Sequence, residues 1–126
     1  MRHPNRLAID NLNALLKLPF EPWMQDWEIQ LADPNRVNEF CQLYTQLDDE
    51  DEKFTLMALI IASLEESLQE KGYNEKLVEM VNWLLNTEFA LHQDTIEYWC
   101  DLGEDNPEHY WMVTPAMRKV WQENTV

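Results

Sequence analysis

Glycine is nearly missing from this chain, with only Gly72 and Gly103 among 126 residues. A sandwich or barrel of many short strands needs tight turns throughout, so that class is set aside. Cysteine is equally scarce. Cys41 and Cys100 alone cannot make a disulfide framework. Each falls on the apolar side of a helical pattern, which fits reduced, buried thiols in a cytoplasmic protein. Near the N-terminus Asp10 and Asn11 interrupt the apolar residues, so no secretory leader is read there. No apolar run approaches the roughly 20 residues that a membrane span requires. The chain also lacks a glycine-rich phosphate loop, a Cys-x-x-Cys pair, a nucleophile elbow and any internal repeat with a signature.

The shortage with the largest consequence is of positive charge. Nine Lys and Arg stand against 24 Asp and Glu, a formal net charge of −15. Such a field repels nucleic acid backbones and anionic membranes and favours a basic protein partner. The deficit is also local. Between residues 77 and 117 there is no Lys or Arg, while Glu79, Glu88, Asp94, Glu97, Asp101, Glu104, Asp105 and Glu108 all lie there. Asp94, Glu97 and Asp101 share one face of a helical pattern at 88–102, and the acids of the following loop continue their line. Tyr98, Tyr110 and Trp111 lie nearby in sequence. Rings as anchors beside charges of one sign make a pattern that protein interfaces use. The expected partner-binding set is therefore Asp94, Glu97, Tyr98, Asp101, Glu104, Asp105, Glu108, Tyr110 and Trp111. The competing reading makes the acids a solvated face and the rings core.

What the chain has in quantity is helical periodicity. In the stretch 53–71, Phe54, Leu56, Met57, Ile60, Ile61, Leu64 and Leu68 form one broad apolar face at about 100° per residue. The other side of its first half is Thr55, Ala58, Ala62 and Ser63, small and uncharged, so this half is expected to be surrounded. Asp49 with Glu52 three residues later has capping-box spacing, and Lys71-Gly72 suits a helix end. Asp10 is read as the cap of a short helix carrying Leu12, Leu15 and Leu16. Asp33-Pro34 is read as the start of another, with Val37, Phe40, Cys41, Tyr44 and Leu47 on one side. Leu77, Val78, Met80, Val81, Leu84 and Leu85 line the next. The period then runs on to 102, either as one long helix over 75–102 or, the favoured reading, as a second helix at 88–102 capped by Thr87. Thr114-Pro115 starts the last. Between Phe20 and Asp33 two periods compete: Trp23 and Trp27 are four apart, whereas Trp27, Ile29 and Leu31 alternate. The alternation favours an extended piece at 27–32, able to pair with the aromatic stretch 109–113.

Two local chemistries compete with structural readings. The consecutive acids Asp48, Asp49, Glu50, Asp51 and Glu52 have no glycine at the sixth position of a calcium loop and run straight into a helix, so helix-start acidity accounts for them. His92 lies on the apolar side of 88–102, with Glu88 four residues before it. One carboxylate–imidazole pair is more often a stabilising contact than a catalytic site. Neither a metal nor a cofactor is implied. The sequence thus predicts a single all-α domain of five or six helices packed around a buried central helix at 53–71, with room for one short two-stranded pairing. Its expected function is a non-catalytic acidic module engaging a basic protein, for example a bacterial immunity or inhibitor-type protein. The alternatives are a small acidic chaperone or adaptor of a secreted protein and, in a different class, a small enzyme using His92.

Overall fold

The computed structural model describes residues 3–21, 24 and 26–125, all helical or irregular and none in a strand. The first helix, α1 (Arg6–Leu16), starts one turn earlier than Asp10 suggests. Asn5 caps it by accepting from the Ala8 N–H at 2.7 Å, and Asp10 sits inside the helix, paired with Arg6. A single helical turn follows, α2 (Trp27–Gln30).

That turn replaces the extended piece expected at 27–32. Trp27 and Leu31, four apart, are buried, while Ile29 between them is 49% exposed. A strand would have buried all three on one face; the helical period wins. Trp27 also has a reason to sit inward, because its Nε1–H donates to Asn13 Oδ1 of α1. Trp23, the other member of the competing pair, lies outside the described residues. The expected partner stretch is not a strand either: 107–109 form a 3-10 turn, and the N–H groups of Met112 and Val113 donate to the Glu65 carboxylate. The donors that a strand pairing would have used are thus already taken. With α2 counted, the described residues contain seven α-helices rather than five or six.

Helix α3 (Val37–Tyr44) begins three residues after Pro34. Asp33 does not cap it; its side chain accepts from Asn35 N–H, and its own N–H donates to Ser63 Oγ of α4 (Glu50–Lys71). Helix α4 starts at Asp49, whose carboxylate accepts from the Glu52 N–H, and stops at Gly72 with φ 88°. That angle suits glycine and strains other residues, so the stop is written into the chain. Every residue of α4 from Phe54 to Glu65 is buried. The helix packs against α1, α2 and α3, and against α5 (Glu75–Thr87) and α6 (Phe89–Cys100).

The α5–α6 boundary falls at Glu88, whose φ of −128° and ψ of 47° leave the helical region. Thr87 does not cap α6, since its hydroxyl turns back to donate to Trp83 O. The last helix, α7 (Thr114–Thr125), lies across α5 and α6. Thr114 fixes its start by donating from its hydroxyl to Trp99 O. Cys41 and Cys100 are free and buried, and burial pushes their thiols up to about 12 and about 11, respectively. No helix among the described residues is long and apolar enough to cross a membrane.

Candidate functional site

Helix α6 and the loop behind it carry the residues singled out in the sequence. Asp94, Glu97 and Tyr98 are exposed on α6. Asp101 ends the helix in a left-handed conformation, φ 50°, which aspartate tolerates better than most side chains. Glu104 is half-buried and accepts from Asn106 N–H at 2.9 Å, with His109 Nδ1 at 3.3 Å from the same oxygen. Asp105 and Glu108 are exposed.

The cation missing from residues 77–117 is supplied by the next residue. Arg118, reaching back from α7, donates Nε–H to Cys100 O at 2.7 Å, and a terminal nitrogen to Asp101 O at 2.6 Å and to Glu104 O at 3.0 Å. Its guanidinium lies over the Tyr110 ring, 4.2 Å from the centroid. The first two oxygens belong to the end of α6, where carbonyls would otherwise lack helical partners. Arg118 therefore fixes the loop through its backbone rather than through its carboxylates. Sequence reasoning missed it, although the first cation directly after a cation-free stretch was a signal.

The three rings do different work. Trp111 is half-buried, stacked against Tyr98 (5.2 Å between centroids, 25° between planes) and edge-on to Trp99 at 4.8 Å. Tyr110 is half-buried under Arg118. Only Tyr98 stands out, 61% exposed, with Trp99 edge-on at 5.4 Å. Tyr98 and Asp94 also line a groove of about 410 Å³ between α2 and α6, whose floor includes Phe54 and Ala58 of α4. Its other acids, Asp26 and Glu28, come from α2 and its N-cap, and were not anticipated. Two acids flanking a tryptophan were the available sign. The acidic loop residues Glu104, Asp105 and Glu108 do not line this groove.

His92 belongs to a different arrangement, buried between helices with 0% exposure. Tyr44 Oη of α3 lies 2.6 Å from His92 Nε2 and 2.7 Å from Glu88 Oε1, and Lys53 Nζ lies 3.2 Å from Glu88 Oε2. Burial acts to raise the Glu88 pKa, but the hydrogen bonds from Tyr44 and Lys53 outweigh it and hold the carboxyl below its ordinary value. An ionised carboxylate can only accept, so the Tyr44 proton goes to Glu88. His92 Nε2–H must then donate to Tyr44. Burial and the Glu88 contact both push the Tyr44 phenol pKa upward, so it remains protonated. The chain His92 to Tyr44 to Glu88, closed by Lys53, ties α3 and α4 to the α5–α6 boundary. A general base needs reach of a substrate proton, and an enclosed imidazole does not offer it. The expectation of a stabilising contact fits this geometry, with Tyr44 as the link between the two residues.

This link should register in acid. A carboxyl whose folded pKa is depressed contributes stability that is complete above its unfolded value and lost as pH falls through the folded one. Unfolding titrations should therefore show the wild type losing ground to Glu88→Gln below about pH 4, near the ordinary carboxyl range. A constant stability gap between the two from about pH 7 to about pH 3 would contradict the assigned role of Glu88.

Among the described residues, no three His, Cys, Asp or Glu side chains gather to hold a metal ion. The chain matches no protein-family model, no curated protein and no solved structure.

Proposed function

We propose that this protein is a non-catalytic acidic module that binds a basic protein through α6 and the loop behind it. The observation that carries the reading is Tyr98. A large ring is held in solvent by two tryptophans, with Asp94, Glu97 and Asp101 within four residues of it along the chain. Exposed aromatics that are already fixed lose little freedom on binding, and surrounding charge of one sign steers an oppositely charged partner. The backbone anchoring by Arg118 supports the same reading, since it keeps the acidic loop in one shape through main-chain oxygens.

The test is kinetic. A partner captured from native lysate at low salt and released by a salt step is purified, and its association is followed with wild type and with the triple variant Asp101→Asn, Glu104→Gln, Asp105→Asn. Association with the variant should slow by roughly tenfold at low salt and depend less on ionic strength. Dissociation should change little, because rim charges act mainly on encounter. Identical association rates for the two proteins at low salt would remove this face from consideration.

A further inference from the structure

A second cavity, of about 560 Å³, opens where the start of α3, the end of α4 and the start of α5 meet. Its charges run against those of the chain. Lys71 and Lys76 line it with a single acid, Glu75, in a protein of nine cations and 24 acids. Hydrogen-bond donors dominate the rest. Val37 and Asn38 bring the first turn of α3, and Glu75 and Lys76 that of α5, where backbone N–H groups lack helical partners. In α5, Asn74 serves the Leu77 and Val78 N–H groups, which leaves those of Glu75 and Lys76. The Asn74 side-chain oxygen is thereby engaged, and that of Asn35 accepts from Lys71, so both amides keep their nitrogens to offer. Ser67 of α4 also lines the cavity, although it is only 3% exposed. One turn earlier Ser63 accepts from Asp33 N–H, whereas the Ser67 hydroxyl has no hydrogen-bond partner among the described residues.

We propose that this cavity binds the phosphate group of a small phosphate monoester. The inference goes beyond the basic-partner reading and does not depend on it. A buried hydroxyl without a partner is costly, and an oxygen atom in the cavity removes that cost. Water would serve Ser67 alone, but the helix starts and the ammonium groups around it share a need for an anionic acceptor. Lys76 sharpens the point. It stands in the first turn of α5, the end of the helix dipole that disfavours a cation. A bound dianion offsets that conflict together with the dipoles of α3 and α5. Phosphate suits the donors better than carboxylate does, because they come from three helices and a planar group with two oxygens cannot face them all. Tyr73 lines the cavity while 62% exposed, which gives an organic group on the ester oxygen a ring to rest against. A nucleic acid would bring many phosphates at once, which a net charge of −15 repels.

The experiment is an amide-resolved NMR titration of the full chain at fixed ionic strength. The probes are inorganic phosphate, phenyl phosphate, benzoate, benzyl alcohol and a capped phosphotyrosine tripeptide. Phenyl phosphate should bind saturably, with a dissociation constant of about 1 mM or tighter, and shift the amides of 37–39 and 74–77. Inorganic phosphate should shift the same amides and bind more weakly. Benzoate should bind at least about fivefold more weakly than phenyl phosphate, and benzyl alcohol should not saturate. Ser67→Ala should weaken both phosphates by about threefold or more, and Lys76→Gln by a similar factor. Tyr73→Leu should weaken phenyl phosphate by about threefold and leave inorganic phosphate unchanged. Each variant's spectrum away from the cavity should overlay the wild type, so that lost binding is not lost fold. No saturation by either phosphate, or shifts confined to residues away from the cavity, would overturn the site. So would unchanged affinity in both Ser67→Ala and Lys76→Gln. Equal binding of benzoate would overturn the preference for phosphate. Tighter binding of the tripeptide than of phenyl phosphate would overturn the small-molecule assignment in favour of a modified protein.

Discussion

Replacing Ile60 by Asp should leave the protein largely unfolded at room temperature. Ile60 is completely buried in the middle of α4, with Leu56, Met57, Leu59, Ile61 and Leu64 around it in sequence and all of them fully buried. The substitution removes roughly 1.5–3 kcal/mol of apolar burial. It also places a carboxyl among apolar side chains, at a further cost of several kcal/mol whether the group stays ionised or takes up a proton. Typical domains have only about 5–15 kcal/mol in total. Ile60→Val, by contrast, should cost only about 0.5–1.5 kcal/mol. Circular dichroism and thermal melts of the two variants decide the matter. An Asp variant melting within a few degrees of wild type would mean that α4 does not carry the core.

The second large effect is expected at Glu65, an acid 5% exposed on the same helix. Its two oxygens accept from Met112 N–H at 3.0 Å and Val113 N–H at 2.9 Å, just ahead of α7, and Gln69 donates to it as well. The carboxylate thus answers two backbone donors and stands at the positive end of the α7 dipole. Glu65→Leu keeps the bulk and abandons both donors, one of them fully buried. Each such donor costs about 1–3 kcal/mol, so a loss of roughly 2–5 kcal/mol follows. Glu65→Gln retains one acceptor oxygen and should lose less than half as much. The readout beyond stability is local: hydrogen exchange across α7 should quicken in the Leu variant before it does in α3 or α4. A Leu variant with wild-type exchange in α7 would show that Glu65 is not what seats this helix.

Glu65 also shows where reading from the sequence alone stops. The all-helical class and the start and end of α4 were legible, because Asp49, Gly72 and the apolar period act through neighbours in the chain. The break near 86–88 was legible as well, though not its cause. Glu88 leaves the helix while its carboxylate is held by Tyr44 and Lys53, residues far away in the chain. The stretch 27–32 was misread because alternation and helical spacing share Trp27 and Leu31, and only the exposure of Ile29 distinguishes them. The partner for 109–113 was misread for a related reason: nothing local says that a buried glutamate on α4 will take its N–H groups. Of the candidate site, the exposed acids and Tyr98 were named, but the groove was not. It is made where α2 and α6 both pack on α4, with His3 and Pro4 beside them, and three other helices separate α2 from α6 in the chain.

The way Arg118 holds the loop has a consequence for how this surface can change over generations. Its donors reach main-chain oxygens of Cys100, Asp101 and Glu104, atoms that every amino acid possesses. The side chains at 105 and 108 can therefore be exchanged in a lineage without dismantling the scaffold that displays them, whereas the Glu104 carboxylate also braces the loop through Asn106 N–H. Arg118 itself has no such latitude, since lysine lacks the forked donors that span three carbonyls. A mutational scan would then separate two populations in adjacent positions: a permissive set of acidic loop residues, and one intolerant arginine outside the loop. Adaptation to a new partner would be written in the first set and paced by the second.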